Sequence, residues 1–189
     1  MNEKPPLLKW WEYVTEEEFK SWASDLFINL QYAWSDRDWE KMRMFETTEL
    51  FERHASQLNR YKQNGQVNKL ERVSVNSLYF LNFYQLGDKE YVSVVLNSKM
   101  FDYVVDEKTG NVLRGSKLEN KVNNYKLTFV RKVGIKTSPK DGKPRTVECP
   151  NCGAPTQITS AGRCSYCRTL IVTNDHDWVL SNLERYYGN

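Results

Sequence analysis

The chain has 189 residues, 40% of them hydrophobic, with a formal net charge of +3. That length holds one well-packed domain and a small appendage, and the apolar content excludes wholesale disorder. No apolar run approaches the roughly 20 residues that cross a bilayer, and no charged-then-apolar leader opens the sequence MNEKPPLLKWWEY, so a soluble chain is expected.

Beyond the Lys-Pro-Pro start, Thr15 and Glu18 have capping-box spacing, and Glu16 and Glu17 suit a helix N-terminus. Phe19, Trp22, Ala23, Leu26, Phe27, Leu30, Ala33 and Trp34 then recur at spacings of three and four, which predicts an amphipathic helix over 16–34. A short helix follows Ser35-Asp36, with Trp39, Met42 and Phe45 on one side. A third is expected from Thr47 to Gln63, its inner face carrying Leu50, Phe51, His54, Leu58 and Tyr61, with Asn64-Gly65 as its stop. From Val67 the period changes. Residues 68–86 and 89–106 read as long, bent or bulged strands joined by a tight turn at Gly87-Asp88. A further turn falls at 106–110, and Tyr125, Leu127 and Phe129 alternate as a strand with one buried face. The polar run KTSPKDGKPR over 136–145 reads as a connector. Helices first and strands after indicate an α+β fold.

Cys149 and Cys152, then Cys164 and Cys167, form two CxxC pairs separated by eleven residues. Each two-residue gap lets a knuckle turn both sulfurs toward one ion, and Gly153 supplies the positive φ such a turn needs. The gap between pairs fits a short hairpin with Ala161-Gly162 near its tip. Four thiolates around a tetrahedral zinc leave no position for water or substrate, so one structural zinc is expected. Iron in the same cage and a pair of disulfides are the alternatives. Four thiolates and one dication together carry −2, which brings the +3 of the free chain near +1 and argues against a general nucleic-acid coater.

FINLQYAWSDRDWEKMRMF, TTELFERHASQLNRYKQNGQVN, YKLTFVRKVG and the late DWVLSNL resemble the Tim-forty-four-like (Tim44-like) domain over about residues 15–185. CPNCGAP, then AGRCSYC, then DWVL resemble bacterial proteins that combine this domain with a zinc ribbon. The resemblance implies an α+β fold of the nuclear-transport-factor-two-like superfamily: a cone-like curved antiparallel sheet packed with N-terminal helices. It also implies that the TFVR strand pairs with the Trp-x-Leu strand, so that the ribbon is inserted before the last strand. The expected division is an N-terminal segment 1–14, a discontinuous body of 15–135 and 174–189, and a linker and ribbon over 136–173.

His54 is read as a hydrogen-bonded core or rim histidine, with a ligand-binding pocket role or metal ligation as its alternatives, and His176 as surface. Trp10 and Trp11 are read as packed against the domain, with an interfacial membrane anchor as the alternative. Asp102, Tyr79, Tyr84 and Tyr103 are the chemistry on offer inside the cone, but no triad, phosphate loop or paired-carboxylate motif accompanies them. No catalytic residue is assigned.

The expected function is a non-enzymatic binding or scaffold protein whose cone holds a hydrophobic peptide, a lipid or a partner protein. Membrane association and a link to transport come from the resemblance. Its expected place is cytoplasmic, peripheral to the membrane or tethered by an anchor absent from this chain. The competing reading is nucleic-acid or protein binding through the ribbon, with Lys136, Lys140, Lys143, Arg145, Arg163 and Arg168 as the basic patch and Tyr166 to stack. An isomerase-like enzyme in the cone is the third.

Overall fold

The computed structural model describes residues 16–133, 146–149, 151–157, 164, 166–167 and 178–188. Helix α1 spans Glu16–Asp36 and buries Phe19, Ala23, Leu26, Phe27, Leu30 and Ala33, the stripe its sequence period predicts. It ends at Arg37, whose φ of 58° leaves the helical region. The buried Ser35 hydroxyl accepts from the Leu70 N–H at 3.1 Å, pinning the end of α1 to the sheet. A 3-10 helix, Trp39–Phe45, follows and buries Trp39, Met42 and Phe45 together. Helix α2, Thr48–Gln63, is capped by Thr47, whose hydroxyl accepts from the Leu50 N–H at 3.4 Å. It stops at Asn64 and at Gly65, which takes φ +61°. The expected partner of Glu18 in a capping box, Thr15, lies outside the described residues, as do Trp10 and Trp11.

Strands β1 (Gln66–Leu86), β2 (Lys89–Asp106), β3 (Val112–Lys132) and β6 (Val179–Arg185) form one open antiparallel sheet in the order β1-β2-β3-β6. The Gly87-Asp88 turn joins the first two, and Asp106 closes the next turn by accepting from the N–H groups of Lys108 and Thr109. Register shifts at three places in β1 and two in β2–β3 are the bulges expected of such long strands. The core lies between the helices and one sheet face, where Leu26, Phe27, Leu30, Leu96, Leu127 and Phe129 are almost wholly enclosed. Burying each side chain of that size contributes about 1.5–3 kcal/mol before entropy is counted. Phe19 joins the layers, with its ring 5.5 Å from Phe80 and edge-on to Phe129 at 5.4 Å.

Strand β3 is longer than its alternating pattern announces. Its first half, VLRGSKLENKVNN, is mostly exposed and is held by backbone pairing to β2 rather than by burial. Gly115 pairs with Tyr103 and Asn120 with Phe101, so residues 116–119 bulge opposite Asp102 alone. A Cβ on Gly115 would lie 2.4 Å from the Asp102 carbonyl oxygen, and φ there is +83°. Only glycine fits that approach.

Strand β6 returns to the body after the cysteine region. It pairs with β3 through Phe129–Leu180 and Val130–Val179, the TFVR and DWVL segments. Glu46 bridges Leu180 on the other side, and the Thr47 N–H donates to the Leu180 carbonyl at 2.9 Å. The last strand is therefore clamped between β3 and the junction of the 3-10 helix with α2. Strands β4 (Thr146–Glu148) and β5 (Pro155–Gln157) form a separate two-stranded antiparallel pair around the first cysteines, before that last strand.

Candidate functional site

The four cysteines converge. Pairing of β4 with β5 brackets the first knuckle, where the Cys149 N–H donates to the Ala154 carbonyl at 3.0 Å and the Gly153 N–H to the Cys149 carbonyl at 2.8 Å. Gly153 takes φ +70°, as a turn this tight requires. In the second knuckle the Cys164 sulfur accepts from the N–H groups of Tyr166 and Cys167 at 3.4 and 3.5 Å. The Cys167 and Tyr166 amides hold the Cys164 thiol below its ordinary range, against the opposing pull of burial. At Cys152 the Ala154 amide pulls the thiol down, but burial and the three neighbouring thiols together push it up to about 12.

All four Sγ atoms lie within 4.8 Å of one another. Cys149 and Cys167 are 3.6 Å apart, and Cys152 and Cys164 are 3.8 Å apart. A disulfide requires about 2.05 Å, so neither pair is bonded. Sulfurs at about 2.3 Å from a tetrahedral zinc are spaced by about 3.8 Å, which this set fits. The tip at Ala161-Gly162 lies outside the described residues. So do His176 and the six basic residues of the expected patch, Lys136, Lys140, Lys143, Arg145, Arg163 and Arg168. Tyr166 is exposed.

A second site lies between the helices and the sheet, a cavity of about 540 Å³. Its floor is aromatic. His54 sits among Trp34 and Trp39, edge-on to both at 6.2 and 5.1 Å. Its Nδ1 stands 2.8 Å from Oε1 of Glu46, and Oε2 of the same fully enclosed carboxylate accepts from Trp39 Nε1 at 3.2 Å. His54 is therefore a hydrogen-bonded core histidine, as the first sequence reading has it, and it also borders the cavity.

The mouth is charged. Asp102 accepts from Asn68 Nδ2 at 2.9 Å and from Lys121 Nζ at 3.2 Å, with Arg185 Nη2 4.0 Å away. Arg114 Nη2 donates to the Tyr61 hydroxyl at 3.0 Å. Arg185 also lies over the Tyr125 ring, and burial pushes that phenol up while Arg185 draws it down. Of the polar residues the sequence offered for the cone, only Asp102 faces this space. Tyr79 and Tyr84 are exposed, Tyr84 stacking on Tyr91, and both lie away from the cavity. Tyr103 borders it, but its ring packs with Val67 and Val105 and its hydroxyl donates to Glu71 at 2.8 Å. The cations at the mouth were not singled out in the sequence, because Arg114 and Lys121 sit in a stretch without strand alternation.

The family model described as the Tim44-like domain matches residues 13–141. The chain belongs to the Tim44-like domain family. That match covers both helices and β1–β3 of the Tim44-like body and ends before Cys149, so the family name describes the body and not the cysteine centre. Membership points to a non-enzymatic, membrane-associated scaffold or transport-related role, and the family is generally non-catalytic. Among solved structures, the intermembrane space region of the chloroplast protein ARC6 is similar at 11% identity and a TM-score of 0.42, over 86% of this chain and 92% of that one. Nothing among curated proteins matches the chain. Among the described residues, no helix of this Tim44-like chain is long and apolar enough to cross a membrane.

Proposed function

We propose that this chain is a non-enzymatic binding scaffold that works at a membrane surface in a transport-related process, using the cavity to hold part of a lipid, peptide or partner protein. The observation that carries the reading is the Tim44-like match across the helices and the first three strands. The cavity supports it, because a concave space of about 540 Å³ lies within the size range of ligand sites. The proposed division is a segment 1–14, a body of 15–135 and 174–189, and a linker and ribbon over 136–173. Cys149, Cys152, Cys164 and Cys167 would hold one structural zinc, closing its coordination shell so that the ion orders the ribbon and touches no substrate. Co-sedimentation with anionic liposomes tests the membrane reading. Recovery of the protein with the vesicles at low salt is expected, and its remaining wholly in the supernatant would overturn that reading.

A further inference from the structure

The cavity changes character with depth. Leu30, Trp39 and His54, at 1%, 6% and 8% exposure, line the floor, whereas the side chains of Lys121 and Arg185 at the mouth are each 43% exposed. The charges there do not balance. Lys121 and Arg185 share the single carboxylate of Asp102. Arg114 meets only the neutral Tyr61 hydroxyl, and among the described residues it has no carboxylate partner. Glu184 also borders the space but is engaged by Lys126 at 3.3 Å. Three cations therefore face two acids at the rim, Asp102 and Glu184, and among the described residues Arg114 is the cation that no carboxylate engages; below them aromatic side chains share the lining with Gln31, Gln57 and Asn68. The fold maintains this arrangement deliberately in its backbone. Arg114 and Lys121 flank the bulge at 116–119, and Gly115 permits the close approach that carries both past Asp102.

We infer that the cavity takes a small amphipathic anion, a carboxylate or phosphate on an apolar or aromatic body, seated with its charged group at the mouth. This rests on the binding reading above and narrows it. A neutral acyl chain would cover the cations of the rim without replacing the water they lose, whereas an anion forms charge-assisted hydrogen bonds with them. Arg114 is the best-placed partner, since its guanidinium gives up nothing ionic to accept a ligand.

The test is calorimetric titration of the full chain with matched pairs: laurate against dodecanol, and naphthaleneacetate against naphthaleneacetamide. Lauryl phosphate and inorganic phosphate are added to separate the head from the body. Each amphipathic anion is expected to bind about tenfold tighter than its neutral mate. Arg114→Gln is expected to remove most of that advantage, with an unchanged thermal unfolding midpoint reporting that the fold is intact. Added salt is expected to shrink the advantage too. Equal affinity within each pair would overturn the inference and leave the binding reading standing. Inorganic phosphate binding as tightly as lauryl phosphate would overturn it by removing the body's part, and so would binding by no member of the set. Vesicle sedimentation reads the membrane role independently of all these outcomes.

Discussion

In the helix-and-sheet body, Leu26, Phe27, Leu96, Leu127 and Phe129 enclose one another almost completely, while among the described residues around the cysteines the buried cluster is sulfur itself, Cys149 and Cys164 with Cys167 against them. The body carries its own hydrophobic driving force, and its six-element order from α1 to β3 would be recognisable without any metal. The cysteine region has two strands of three residues each and, among its described residues, no apolar core. On the proposed zinc reading, a metal would take the place of a core there. The comparison teaches that a single chain can be held by two unlike forces, with β6 as the element that belongs to one and follows directly on the other.

The largest effect that separates the two regions should come from Phe129→Ala. Phe129 is fully buried beneath Phe19 and Trp22, so its truncation is expected to destabilise the body by about 3–5 kcal/mol in urea unfolding, with the metal content of the folded protein unchanged. Metal lost in proportion would mean that the cysteine centre leans on the core. Gly115→Ala should have a smaller effect, about 1–3 kcal/mol, since it forces a side chain onto the Asp102 carbonyl at positive φ. Its loss should be read in the body alone, and it should also weaken anion binding at the cavity mouth. A neutral result in thermal unfolding would show that the bulge at 116–119 relaxes freely.

Most of the body was legible in the sequence because its elements obey strong periods. The α1 stripe, the extent of α2, the Gly87 turn and the pairing of the TFVR and DWVL segments all lie where sequence pattern and resemblance put them. What escaped was the first half of β3. Strand pairing there depends on the neighbouring strand, and a stretch such as SKLENKVNN presents no buried face to announce it. The cavity's charge escaped for the same reason. Arg114, Lys121 and Arg185 are far apart in the chain and meet only through a bulge and an edge strand. Glu46 was equally invisible. Nothing local distinguishes it from a surface acid, yet it is enclosed between Trp39 and His54. By contrast, the cysteine spacing was explicit, and the sulfurs converge as that spacing requires.

Hydrogen exchange before and after zinc removal by a chelator measures the division most directly. The account predicts that amides of 146–157 lose their protection and that those of 125–130 and 179–185, the last strand pair, exchange faster. Those of 16–36 and 48–63 should keep theirs. Unchanged protection across 146–157 and the last strand pair, or loss of protection throughout α1, would contradict it.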